Sequence, residues 1–229
     1  PAAERVKALR ESAHPQAQFI WALLRNAFHY AAVTLESIAE SAREVDFAMR
    51  WGFGMKQGPF EIWQEAGWKQ VAEWVKADID SGKALSKAPL PAWVFDGRDG
   101  VHTAEGSWSP KTGKYVPIRD LPVYKRQAFR ENVLGSQAPN AATAGKTLFE
   151  DANIRLWTLD DEVVIASIKS KMHTISAEVT AGLAKGLEIA EAGYKGMVIW
   201  TQDGPCSAGA DLQSMMPAFM SGGGKAIAP

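Results

Sequence analysis

Between Gln16 and Ala39 the apolar residues Phe19, Ile20, Leu23, Leu24, Ala27, Phe28, Ala31 and Leu35 recur every three or four positions. Such spacing predicts one long, largely buried helix, and a chain that opens this way commits its first third to helix packing. Ser41 then begins "SARE", a capping box in which Ser41 and Glu44 satisfy each other's free backbone donors, so a second, short helix is expected through Val45, Phe47, Ala48 and Met49. Gly52 and Gly54 are positioned to end it. "QGPFEIWQEAG" restarts the pattern with Pro59 at a first-turn position, and a further stretch from Trp68 to Ile79 stops at Gly82.

From Lys83 to Thr147 the periodicity fades into proline, glycine and small polar residues, which reads as a connector with a short hairpin around Pro110 to Gly113. "NIRLWTL" and "EVVIASI" flank "DD" as a second hairpin; "SAEVTAGLAKGLEIAEAG" follows as an amphipathic helix and "GMVIW" as a buried strand. The expected division is therefore a helical domain over 1–82, an irregular connector over 83–150 and a ββαβ domain over 151–229, a multidomain α+β chain.

The totals narrow the partners. Of 229 residues, 46% are hydrophobic, enough to fill a core. Twenty-five basic and 26 acidic side chains give a net charge of -1, which leaves no global footprint for nucleic acid or an anionic membrane. A single cysteine, Cys206, excludes an internal disulfide and fits a cytoplasmic location; it is expected to be a small packed thiol. No apolar run reaches membrane-spanning length, and "PAAERVKALR" has no signal-peptide centre. Pro1 in place of a starter methionine is read as the mark of an excised or processed piece. His14, His29, His102 and His173 have no metal-ligand spacing, no metal is expected, and His29, on the long helix, is read as a boundary residue between its buried and exposed faces. "NAATAGKT" ends like a phosphate loop but has Asn140 where the leading glycine is required, and "SGGGKA" has Ala226 in place of the hydroxyl. Tryptophans from Trp51 to Trp74 are assigned to core packing or a dimer face rather than base stacking.

Two resemblances give these elements a function. "VVIASIKSKMHTIS", a helix and "KGMVIWTQDGPCSAGADL" look like the start of the enoyl-CoA hydratase (crotonase) superfamily, over about 151–229. That resemblance implies that the Ala208 N–H forms half of an oxyanion hole for a thioester carbonyl. One such donor is worth on the order of 3 kcal/mol. It further implies that Gly209, Ala210, Asp211 and Leu212 line the coenzyme A adenine pocket, and that Ser170, Lys171 and Met172 form the other coenzyme-contacting loop. His173 stands where the family usually has asparagine, and Cys206 where it has an aromatic residue.

"FIWALLRNAFHYAAVTLESIAESAREVDFAMRWGFGMKQGPFEIWQEAGW", over about 16–75, resembles the C-terminal helical domain of 3-hydroxyacyl-CoA dehydrogenases. Ala22 occupies the position of the asparagine near the start of the family's long helix, which implies a structural repeat, one that pairs with a sister copy or across a dimer. Together the two halves resemble fused β-oxidation enzymes, with an all-α dehydrogenase C-terminal-like domain followed by the N-terminal ββαβ part of a crotonase (spiral β/α) domain. The implied longer enzyme hydrates trans-2-enoyl-CoA and oxidises 3-hydroxyacyl-CoA with NAD. Neither the hydratase glutamates nor a later glycine-rich turn is recognisable before Pro229, and the dehydrogenases' NAD loop and catalytic histidine are not recognisable either. The piece is therefore expected to be incomplete and inactive alone. A non-catalytic assembly module and an isomerase or hydrolase of the crotonase superfamily acting on acyl-CoA are the alternatives.

Overall fold

A computed structural model describes residues 1–136, 140–202 and 204–223. The chain forms two compact units, Pro1–Ala138 and Pro139–Pro229. Asp203 and the 224–229 stretch, which carries the "GKA" of "SGGGKA", lie outside the described residues.

The first unit begins with five helices, α1 (Ala2–Glu11), α2 (Pro15–Ile38), α3 (Ala42–Phe53), α4 (Pro59–Glu65) and α5 (Trp68–Asp80). The capping signals act as expected. Glu44 accepts from the Ser41 amide at 2.8 Å and from its hydroxyl, Gly54 ends α3 in the left-handed conformation, and Pro59 opens α4. One face of α2 buries Trp21, Phe28, Ala31, Ala32 and Leu35. Half of the expected core stripe is outside, however: Phe19, Ile20, Leu23 and Ala27 are exposed. Apolar residues ring most of this helix, so spacing alone does not select the buried side. His29 corrects the boundary assignment too, since it is buried with Nε2 at 2.6 Å from the Ala88 carbonyl oxygen.

Residues 83–136 belong to this unit rather than to a connector. They supply a 3-10 turn, Ala92–Phe95, and an antiparallel sheet of β1 (His102–Thr103), β2 (Gly106–Ser109) and β3 (Lys114–Val116), followed by the short helix α6 (Pro122–Lys125). The hairpin sits at the expected place, between β2 and β3. Leu90, Val94, Val101 and Trp108 join the same core as the helices, where Trp63 stacks on Trp68 with ring centroids 4.2 Å apart. The unit is thus not all-α, because a proline-rich segment without periodicity still contributes single anchors to a core that the helices have begun.

The second unit holds a four-stranded sheet in the order β4 (Lys146–Glu150), β5 (Ile154–Thr158), β6 (Val163–Ile168) and β7 (Gly196–Ile199). β5 and β6 form the expected hairpin, with Leu156 opposite Ala166. Helix α7 (Ala177–Gly193) crosses over to β7, which pairs parallel with β6. Strand β4 was not expected and extends the ββαβ order by one strand. β7 departs from the buried strand expected, for Val198 and Ile199 are about half exposed. Gly182 and Gly186 let α7 lie close on the sheet: a Cβ at Gly182 would come 2.5 Å from Ile154 Cγ2. The last helix, α8 (Leu212–Gly222), has no buried residue.

Candidate functional site

The two loops named for coenzyme A contact lie in different parts of the sequence, one after β6 and one after β7, and the fold brings them side by side. Parallel β6 and β7 both end on the same side of their sheet, which places ligand-binding crevices at strand C-termini in open α/β sheets. The loops then pair through their main chains. Ala208 N donates to the Met172 carbonyl at 3.1 Å, Ile175 N to Gly209 O at 2.8 Å, and Asp211 N to Ile175 O at 2.9 Å. Ser207 Oγ adds a bond to His173 O at 2.6 Å, and His173 Nδ1 lies 2.7 Å from Pro205 O.

This pairing explains the small residues that separate the strand from the helix. Serine, alanine and glycine allow one backbone to run against another, and Gly209 has φ +91°, a conformation that L side chains rarely adopt. Asp211 caps α8 by accepting from Gln213 N at 3.1 Å. Its own carboxylate therefore occupies that helix start. Leu212 and Met172 are exposed, and Ser170 Oγ is spent on the Thr174 carbonyl at 2.7 Å, whereas Lys171 is exposed.

Two expectations change here. The Ala208 N–H is not a free oxyanion donor in this arrangement, because Met172 O already accepts it. Cys206 is exposed rather than packed. Across from them, Met172 and His173 adopt φ of 56° and 52° in succession. For residues other than glycine the left-handed region costs about 1–2 kcal/mol each, and such strain persists where the surrounding bonds enforce it.

The phosphate-loop look of "NAATAGKT" has a structural explanation. The buried Arg155 donates to the carbonyls of Ala141 and Ala144 at 2.7 and 2.8 Å and to Thr147 Oγ1 at 2.9 Å. A loop that turns carbonyl oxygens inward toward a cation has the polarity opposite to a phosphate cradle, which presents amides. Nor do the loops at these strand ends fit a dinucleotide: the loop after β6 contains no glycine, and the one after β7 is tied to its neighbour by the bonds above. No group of three or more His, Cys, Asp or Glu side chains among the described residues is arranged to hold a metal.

Sequence reasoning missed a buried polar chain in the first unit. His102 Nε2 lies 2.6 Å from Asp46 Oδ2 and its Nδ1 2.8 Å from Ser107 Oγ, all three residues being buried. The order resembles a serine nucleophile with its base and acid. Yet Asp46 also accepts the amides of Phe60 at 2.9 Å and Glu61 at 3.1 Å, and Ser107 is fully buried, so the chain caps α4 and ties it to the sheet instead of meeting a substrate. Burial is the leading influence on the Asp46 carboxyl and raises its pKa, opposed by the bond to His102. A helix cap contributed from 14 and 15 positions upstream of the amides it accepts has no local sequence signal.

Comparison with known proteins favours one of the two resemblances. The chain is 27% identical over 212 residues to a Bacillus subtilis (strain 168) protein described as a probable 3-hydroxyacyl-CoA dehydrogenase. The match covers 93% of this chain but 25% of that protein, so the chain spans about a quarter of its relative's length. A crystal structure of 3-hydroxybutyryl-CoA dehydrogenase from Escherichia coli K12 is 17% identical with a TM-score of 0.28, over 79% of this chain and 41% of that one. No family model matches. Among the described residues no helix is long and apolar enough to cross a membrane.

Proposed function

We propose that this chain is part of an acyl-CoA-processing enzyme of the 3-hydroxyacyl-CoA dehydrogenase kind, whose second unit holds the coenzyme A thioester at the paired loops. The observation that carries this reading is the likeness of 212 residues, which must include most of both units, to one dehydrogenase. The strained, hydrogen-bonded juxtaposition of 170–175 with 205–211 supports the placement of the ligand. In that role Lys171 is the cation for a coenzyme phosphate, Met172 and Leu212 supply apolar contact, and Gly209 and Ala210 admit the adenine close to the main chain. Ala208 donates to the thioester oxygen only after its amide leaves Met172.

The helical unit is structural in this reading, and its exposed α2 face, with Phe19, Ile20 and Leu23, is where a sister repeat or second copy would pack. Oxidation with NAD, hydration of an enoyl-CoA and a cytoplasmic location are proposed for the longer protein. No step through NAD is assigned to the residues described here. Calorimetric titration of the chain with crotonyl-CoA tests the loop assignment: saturable binding weakened about tenfold by Lys171→Glu is expected, by loss of a charge-assisted phosphate contact. Absence of binding by the wild-type chain would reject it. In the longer protein, loss of crotonyl-CoA hydration on Ala208→Pro, with NAD-linked oxidation of 3-hydroxybutyryl-CoA retained, separates the hydratase proposal from the dehydrogenase one.

A further inference from the structure

In the first unit, a groove of about 590 Å³ lies between α3 and the segment 118–131. One wall is the Phe47–Trp51 pair, successive turns of α3, stacked with centroids 4.5 Å apart and planes within 6°. Tyr124 faces the groove from the other segment, and Arg130 lies 5.9 Å from its ring centroid. The volume falls within the range of small-molecule sites, roughly 300–1,000 Å³.

Charge sets this groove apart from an ordinary apolar cleft. Glu44 is used by the Ser41 cap, Glu131 accepts from Arg50 and Trp51, and Arg119 pairs with Glu40. Arg43 and Arg130 remain without a carboxylate within ion-pair distance among the described residues. Arg43 is buried, its two terminal nitrogens donate to the carbonyls of Val116 and Pro117, and its Nε has no acceptor. Burial lowers the Arg43 pKa, the charge of Arg130 lowers it further, and nearby Glu44 opposes both. Buried Arg43 and part-exposed Arg130, neither with a carboxylate within ion-pair distance among the described residues, are matched to a planar or tetrahedral anion.

We propose that this groove binds a nucleoside 5′-diphosphate, its base against the Phe47–Trp51 stack and its phosphates between Arg43 and Arg130. Aromatic side chains stack on any base, Arg130 binds phosphate oxygens through paired donors, and Arg43, its terminal nitrogens held by Val116 and Pro117, offers its unpartnered Nε–H. Free nucleotide and the nucleotide end of coenzyme A share this chemistry. The inference is independent of the loop-pair reading, which concerns the second unit.

Calorimetric titration of the whole chain with ADP, adenosine, inorganic phosphate and coenzyme A tests it. ADP is expected to bind, with adenosine and phosphate each at least about tenfold weaker because each keeps only one half of the contacts. Arg130→Ala and Trp51→Ala, both substitutions of residues outside the buried core, are each expected to weaken ADP about tenfold. Coenzyme A binding that competes with ADP identifies the coenzyme as the source, and ADP binding without competition identifies free nucleotide. Lack of ADP binding overturns the inference, as does binding that both variants leave unchanged. Coenzyme A binding lost on Lys171→Glu but kept on Arg130→Ala, with no ADP binding, assigns the coenzyme to the loop pair alone.

Discussion

The two units solve the same problem of burial with different materials. In the first, Trp63, Trp68, Phe28 and Phe60 fill one core that extends from the helices to the small sheet, and buried polar groups are tied across it. Trp21 and Arg25 both donate to the buried Asp78, and Arg98 lies over the Trp108 ring at 3.5 Å, with Asp96 as its partner. In the second, the core beneath α7 is built from the smaller side chains Ile154, Leu156, Val164, Ala166 and Ala190, and a single tryptophan, Trp157, is fully buried. Val198, Ile199, Met216 and Phe219 are about half exposed, and Leu212 and Met220 more so. The contrast teaches that the first unit rests on several stacked aromatics and polar ties, whereas the second has one buried tryptophan and the Arg155 tie, depends on the close seating of α7 and leaves apolar surface exposed among the described residues.

Removing the polar ties is expected to break the comparison most. Asp46→Ala leaves His102 and the amides of Phe60 and Glu61 without their acceptor, a loss of about 3–5 kcal/mol by analogy with one-sided removal from buried pairs. Urea unfolding followed by tryptophan fluorescence checks it, since Trp63 and Trp68 share that core. A loss below about 1 kcal/mol would show that the chain of bonds is incidental to the unit's stability.

The seating of α7 is the corresponding weak point of the second unit. Gly182→Val forces branched carbon into the space of Ile154, and a loss of about 1–3 kcal/mol is expected from overpacking. Hydrogen exchange locates the effect: amides of β5 and α7 lose protection while those of α2 and α5 keep theirs. Ser176→Ala is a milder version. Ser176 Oγ accepts from Val179 N at 3.3 Å at the start of α7, and removal of such a cap costs about 1 kcal/mol, read as a shift in the same exchange experiment.

Local signals carried much of this architecture. The Ser41–Glu44 box, Pro59, Gly54 and the alternating hairpin strands are each decided within a few residues, and they stand where the sequence placed them. What long-range packing decides was not legible. The buried face of α2, the recruitment of Leu90 and Val101 by the helical core, and the Asp46–His102 bond all depend on partners distant in sequence. The site divides along the same line. The crotonase resemblance singled out both loops, but which amides they would consume, and that Ala208 would face Met172, follows from the parallel β6–β7 pairing that brings them together.

The smallest effect comes from acid and separates local from global stabilisation in the second unit. Asp151 Oδ1 accepts the amides of Asn153 at 2.7 Å and Ile154 at 2.9 Å, closing the turn between β4 and β5. Those two bonds, the Asn153 amide first, lower its pKa below the ordinary 3.8. A depressed native pKa means that the unfolded chain takes up the proton first. The contribution is therefore complete above the ordinary value and is lost as pH falls from there through the native value. The group is almost wholly exposed, so the effect is screened and small. Urea midpoints measured from about pH 6 to about pH 2 are expected to fall slightly more steeply for the wild-type chain than for Asp151→Asn, which cannot ionise. Identical slopes would mean that the turn's geometry, rather than its charge, holds β4 against β5.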